Sequence, residues 1–180
     1  KYKELVSSIE KVKHLSLTDI VDVIPQTRTS TGSPVALNKS QLYSYTEIQD
    51  IAYGDYRSTD MRGWELPTRA KHFAEAGDIY VGSVWGSVAK WFIVDKLVGN
   101  LVVTNGCYRL RVKKGQEDAL VDLVAFLCSD AYATQMRELA RGSDGLAEVH
   151  ESDLSKVLIT VITDSGIRKN VSEFLEALLA

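Results

Sequence analysis

Apolar residues at Tyr2, Leu5, Val6, Ile9 and Val12 recur at spacings of three and four. That period predicts an amphipathic helix over the first residues. Leu15 to Ile24 is apolar and β-branched and reads as one strand, which Pro25 stops. Gln26 to Pro34 is a polar loop without core-forming side chains. Thr46 is a good N-cap for a short helix that Gly54 would end. From Asp55 to Arg69 the chain is polar, charged and aromatic without a period, the pattern of a long surface loop. The centre is rich in β-formers. Strands are predicted at Asp78–Val84, Lys90–Val94, Leu101–Thr104 and Cys107–Val112, with Gly77, Gly86, Gly99 and Gly106 punctuating them. Tyr108, Leu110 and Val112 alternate with Arg109, Arg111 and Lys113, predicting one apolar and one basic face. Helical spacing returns at Leu120, Leu123, Val124 and Leu127, and again from Tyr132 to Ala140 before Arg141-Gly142. Ser152 to Lys156 reads as a capped turn leading into an apolar strand, Val157–Ile162. A last amphipathic helix follows from Gly166 to Ala180.

The predicted class is therefore α+β: a single domain with a twisted mixed or antiparallel sheet of short strands and helices clustered in the C-terminal third. Length and composition agree. At 180 residues and 45% hydrophobic, the chain can bury a core without disulfides or metals. Two cysteines are too few for a disulfide framework, so a reducing, cytoplasmic setting is expected. No apolar run is long enough to span a membrane. Because Lys1 opens the sequence, a piece of a longer protein is expected.

The net charge of −3 hides an asymmetry. Residues 1–54 are neutral, residues 55–114 carry ten Lys/Arg against six Asp/Glu, and residues 115–180 carry five against twelve. A basic middle beside an acidic tail raises the question of a polyanionic partner.

Catalytic chemistry finds no support. There is no G-x-G-x-x-G and no P-loop. In Gly82-Ser83-Val84-Trp85-Gly86 the serine stands one residue too early for a nucleophile elbow. His14, His72 and His150 lie without Cys or carboxylate at metal spacing and read as surface or hydrogen-bonded histidines. Cys107 and Cys128 read as small buried hydrophobes. No catalytic residue, metal or cofactor is expected. What remains is a run of cations from Arg57 to Lys114 with Tyr56, Trp64, Trp85 and Trp91 interleaved. Cations of this kind neutralise phosphates, and arginines also grip guanine edges. A solvated sheet face over core tryptophans would give the same spacing.

Several motifs stand in order. Ala76-Gly77-Asp78-Ile79-Tyr80-Val81 precedes Gly86-Ser87-Val88-Ala89-Lys90; then come Asn105-Gly106-Cys107-Tyr108-Arg109-Leu110-Arg111 and Leu123-Val124-Ala125-Phe126-Leu127-Cys128-Ser129. Arg141-Gly142-Ser143, Ser152-Asp153-Leu154 and Val157-Leu158-Ile159 complete the set. In that order it resembles the target recognition domains of type I restriction–modification specificity subunits, from about Leu15 to Ala180. Two features depart from the family's pattern. Ala89 stands where the family usually has glycine, and Thr163-Asp164-Ser165-Gly166 replaces its proline-rich tail.

The resemblance implies a non-catalytic DNA-recognition module that directs an adenine methyltransferase, and a restriction complex, to its target. The implied partners are double-stranded DNA and methyltransferase subunits, with the restriction subunit left open. The DNA-binding residues it implies are Arg57, Arg62, Arg69, Lys71, Trp85, Ser87 and Lys90. The implied domain plan is a spacer helix at 1–14, a recognition domain at 15–164 and a second spacer or docking helix at 165–180. A recognition domain fused to an N6-adenine methyltransferase chain remains an alternative, although no N-P-P-Y/F motif is present. A protein-interaction domain using the acidic helices is a further one.

Overall fold

Of the strands predicted by alternation, Cys107–Val112 organises the rest. The computed structural model describes residues 13–27, 37–95, 99–143 and 146–179. Of the helix expected at 1–14 only Lys13 and His14 lie among these, and neither is helical, since His14 opens a strand; most of the Gln26–Pro34 loop lies outside them. In chain order the strands are β1 (His14–Ser16), β2 (Val21–Ile24), β3 (Leu42–Thr46), β4 (Thr59–Arg62) and β5 (Ala70–Phe73). They continue as β6 (Ile79–Gly82), β7 (Trp91–Ile93), β8 (Leu101–Thr104), β9 (Cys107–Val112) and β10 (Leu158–Thr160). The helices are α1 (Leu17–Ile20), α2 (Leu120–Leu127), α3 (Asp130–Leu139) and α4 (Ser165–Leu178).

The class is α+β as expected, with the strands divided among three sheets. An antiparallel sheet runs β2-β9-β6-β7, a mixed one β4-β3-β8-β5, and β1 pairs with β10. The antiparallel sheet is the middle layer. Leu110, Ile79 and Val81 on one face pack with Leu123, Val124, Leu127 and Met136 from α2 and α3. Burying each such aliphatic side chain contributes about 1.5–3 kcal/mol. Its other face presents Tyr80, Phe92 and Cys107 to Leu101 and Val103 of the mixed sheet. On the far side of the mixed sheet, Tyr43, Tyr45 and Val102 form a smaller cluster with Leu66 and Ala70.

Three expectations are corrected. Leu15–Ile24 is not one strand but β1, a helical turn and β2. Asp19 accepts a bond from the Ser16 amide at 3.1 Å, and the Leu17 amide donates to the Val157 carbonyl at 2.8 Å. This local cap overrides β-propensity. Within the expected Asp55–Arg69 loop, Thr59–Arg62 is a strand, paired in register from Leu42↔Arg62 to Tyr45↔Thr59. Its polar sequence lacks alternation because an edge strand buries little. The predicted Thr46 helix is a 3-10 turn, Ile48–Asp50, capped at Glu47.

Arg109 also departs from its expected place on a solvated basic face: it is 1% exposed. Its Nε donates to Asp78 Oδ2 at 2.7 Å and its Nη2 to Glu75 Oε1 at 3.0 Å. Arg111 Nε donates to Asp78 Oδ1 at 2.9 Å, and the Glu75 amide adds a further bond to Oδ2 at 2.8 Å. The turn that delivers Asp78 passes through Gly77 at φ +83°, a conformation that favours glycine. Hydrogen bonding to Arg109 holds the Glu75 carboxyl below its usual range. The Ala89 departure costs no strain, because the turn closes with the Lys90 amide on the Ser87 carbonyl at 2.9 Å. No non-glycine residue among those described has positive φ.

Asp78→Asn should strand the buried Arg109 with only Glu75 as counter-charge. Destabilisation of about 3–5 kcal/mol is expected, read as a lower urea midpoint at unchanged slope. Removing both charges, in Asp78→Leu with Arg109→Met, should cost less than the single change. A single change no worse than an ordinary surface substitution would show that the pair is not a structural centre.

Candidate nucleic-acid interface

The predicted DNA-binding residues fall in three places. Arg57, Arg69 and Lys90 converge on the 3-10 turn Ile48–Asp50. Lys90 Nζ donates to the Ile48 carbonyl at 2.8 Å and the Gln49 carbonyl at 3.4 Å, tying this turn to the start of β7. Arg57 is fixed by its backbone: its amide donates to the Asp50 carbonyl at 2.9 Å, and its carbonyl accepts from Thr46 Oγ1 at 3.0 Å. Its exposed guanidinium makes no ion pair among the described residues. Arg69 grips Glu47, with Nη2 at 2.6 and 2.7 Å from the two carboxylate oxygens. Its charge is therefore matched. Lys71 is two residues further, at the bulge between Ala70 and His72, where its carbonyl accepts from the Thr27 amide and hydroxyl at 3.0 Å each. Its ammonium has no carboxylate partner among the described residues.

Arg62 closes β4 and donates from Nη1 to the Ser40 carbonyl at 2.9 Å. Trp85 and Ser87 occupy a third place, the 3-10 turn Trp85–Ser87. Trp85 is half-exposed beneath the Arg137 guanidinium, 5.8 Å from the ring centroid. Ser87 is buried and donates its hydroxyl to the Val84 carbonyl at 2.9 Å.

The basic segment thus divides by use. Arg109 and Arg111 are consumed by Asp78 and Glu75, and Arg69 by Glu47. Arg57, Arg62 and Lys71 keep uncompensated charge at the surface. The acidic tail also holds paired cations: Arg141 and Lys156 share Asp153, and Arg168 binds Asp122. Lys39 joins the uncompensated group and lay outside the segment whose charge pointed to DNA. Its backbone lies beside the residues that follow Arg62, the Trp64 amide donating to the Lys39 carbonyl at 3.2 Å. Only the β3–β4 pairing could have revealed that neighbour, and β4 has no alternating pattern.

Beside the end of β2 and the start of β9 lies a cavity of about 260 Å³, lined by Gln26, His72, Ser83, Asn105, Arg109 and Glu148 among others. His72 is buried against Tyr80, with ring centroids 5.8 Å apart. Burial, and secondarily Arg109, lower its pKa to about 4. Burial pushes the Cys107 thiol up to about 12, in keeping with a small buried hydrophobe. Cys128 differs from that expectation: it is exposed, because it follows the last turn of α2 where the chain leaves the core.

No protein-family model matches the chain, and no curated protein matches it. Solved structures do. One is a chain from a study of complex assembly and conformational transition in a type I restriction–modification system, with TM-score 0.65 and 18% identity. Another is the HsdS subunit from Thermoanaerobacter tengcongensis, with TM-score 0.63 and 19% identity. A third is the type I restriction–modification S subunit from M. genitalium, with TM-score 0.57 and 14% identity. Each likeness covers 93% of this chain but only 42%, 42% and 38% of the other. The chain therefore spans about two-fifths of these proteins and shares the fold of that portion.

His72 provides a pH test of the buried seam. With its folded pKa near 4 against an ordinary 6.5, the unfolded chain binds the extra proton between those values. Stability should therefore fall as pH drops from 6.5, by about 2 kcal/mol at pH 4.5. Chemical denaturation should show this slope in the natural sequence and not in His72→Phe. Equal slopes in the two would place His72 outside the buried seam.

Proposed function

We propose that this chain is a DNA-sequence recognition module of a type I restriction–modification system, without catalytic activity of its own. It would direct an adenine methyltransferase, and the associated restriction complex, to a target site. The observation that carries this reading is the fold likeness to S subunits over 93% of the chain. It is supported by surface cations, Arg57, Arg62 and Lys71, that no carboxylate of the described residues neutralises. Phosphate contacts from such cations fix register on a duplex, and base contacts then specify the sequence.

On this reading its partners are double-stranded DNA and methyltransferase subunits, and it works in the cytoplasm. No helix among the described residues is long and apolar enough to cross a membrane. Arg57, Arg62, Arg69, Lys71, Trp85, Ser87 and Lys90 are the proposed interface. Arg69, Ser87 and Lys90 would act mainly by shaping it, since their polar groups already hold Glu47, Val84 and the Ile48 turn. The segments of the implied plan at 1–14, whose His14 belongs to β1, and at 165–180 are proposed as spacers or docking surfaces. Within the latter, α4 packs on α2 through Val171 and Leu175, and Arg168 Nη1 binds Asp122 at 3.0 Å.

In cells carrying the complete system, N6-methyladenine should map to one defined sequence and vanish when this chain is deleted. With the assembled complex, log K should fall linearly with log salt. Arg57→Ala or Lys71→Ala should each weaken binding to all sequences alike and reduce the slope by about one. Methylation that ignores this chain, or binding that ignores salt, would overturn the reading in favour of a protein partner.

A further inference from the structure

We propose that β4 is the element that enters the major groove, and that Asp60 reads a base there. This rests on the DNA-recognition reading and names the reading element within it.

The major groove is about 12 Å wide and admits a two-stranded β-ribbon. β3 and β4 form such a ribbon at the edge of the mixed sheet, with β4 outermost. Thr59, Asp60 and Arg62 are all exposed, whereas Met61 turns inward to the cluster around Tyr43 and Tyr45. Uncompensated cations flank the strand at both ends. Arg57 precedes it, and Arg62 with Lys39 closes it, at most about 17 Å of extended chain away. That span suits phosphates on opposite walls of one groove.

The far end is held tightly. A Cβ at Gly63 would stand 2.3 Å from the Asn38 carbonyl oxygen, so the backbones touch there. Close apposition keeps Lys39 beside Arg62, and Trp64, 67% exposed, beside them.

Among these cations stand carboxylates that phosphates would repel: Glu65, whose Oε2 accepts from the Arg62 amide at 2.7 Å, and Asp60, exposed on the strand itself. The Asp60 carboxylate suits instead a base amino group, the N4 of cytosine or the N6 of adenine. Asp60 and Ser44 face each other across the strands, and Ser44 Oγ donates to Asp60 Oδ1 at 2.8 Å. The other oxygen, Oδ2, accepts no hydrogen bond from the described residues. Ser44 is thus a positioning residue: it orients a carboxylate whose free oxygen remains available to a donor.

The test uses the full natural chain in the complex it forms in its own host, with a randomised duplex DNA library as probe and sequencing of the bound fraction. Asp60→Asn and Asp60→Ala should change the preference at one base position, or two adjacent ones, by roughly 5- to 100-fold. Arg62→Ala and Lys39→Ala should weaken binding while keeping the preferred sequence. Ser44→Ala should lose part of the discrimination at that same position, and Ser44→Thr should restore it. Asp60→Asn retains an oxygen for Ser44, and thermal unfolding checks that each variant folds. Folded Asp60 variants with the natural preference at every position would overturn the assignment of Asp60 and β4. A natural complex with no sequence preference would instead overturn the DNA-recognition reading itself.

Discussion

The fold depends on where one buried guanidinium finds its counter-charge. Arg109 of β9 and Asp78, just before β6, lie 2.7 Å apart with almost no exposure, in the seam between two sheets. A buried ion pair contributes little net stability compared with a well-packed apolar pair, because desolvation offsets the attraction. Its effect is on register. A one-residue slip of β9 would turn Arg109 into the aliphatic cluster of Leu123, Val124, Leu127 and Met136, away from Asp78 and Glu75. It would also carry Leu110 out of that core. Apolar packing and charge pairing therefore select the same alignment of the middle sheet.

That alignment decides which cations remain at the surface. Strand β9 contributes two arginines to a segment that is basic on paper, yet both are spent on Asp78 and Glu75. Much of the remaining positive charge lies at the periphery of the mixed sheet, Arg57 and Arg62 around β4 and Lys71 at the bulge of β5, while Lys114 is exposed just past β9. Charge in the sequence and charge at the surface are different quantities, separated by pairing that involves residues far apart in the chain.

The same distinction explains what the sequence made legible. Elements that bury a full face carry a period, so β6 to β9 and the helices α2 to α4 could be read from spacing, with ends set by caps such as Ser129 and Asp164. Elements governed by one local bond or one long-range pairing could not. The helical turn Leu17–Ile20 depends on Asp19 and on a carbonyl at Val157, and β4 depends on β3. Of the candidate site, residue types were legible but partners were not. Nothing near Arg69 in sequence announces Glu47, and nothing near Lys90 announces the Ile48 carbonyl.

Placing those motifs in three dimensions changes their meaning. Gly77-Asp78 and Arg109-Leu110-Arg111, the most telling part of the resemblance, form the buried seam and present little to a ligand. They define the scaffold. The polar stretch from Asp55 to Arg69, which resembles nothing in particular, supplies the exposed edge strand, two uncompensated arginines and Trp64. On the proposed DNA-recognition reading this division has a use, because the frame must hold register while the reading surface changes freely. An edge strand satisfies both demands. Its backbone is held on one side by β3, so side chains on its exposed face can be exchanged without opening a cavity or stranding a buried charge. In contrast, any change at Asp78 or Arg109 would be felt through all three layers. The residues that identify the fold and the residues that would read DNA are therefore expected to be different sets, joined only through the ribbon of β3 and β4.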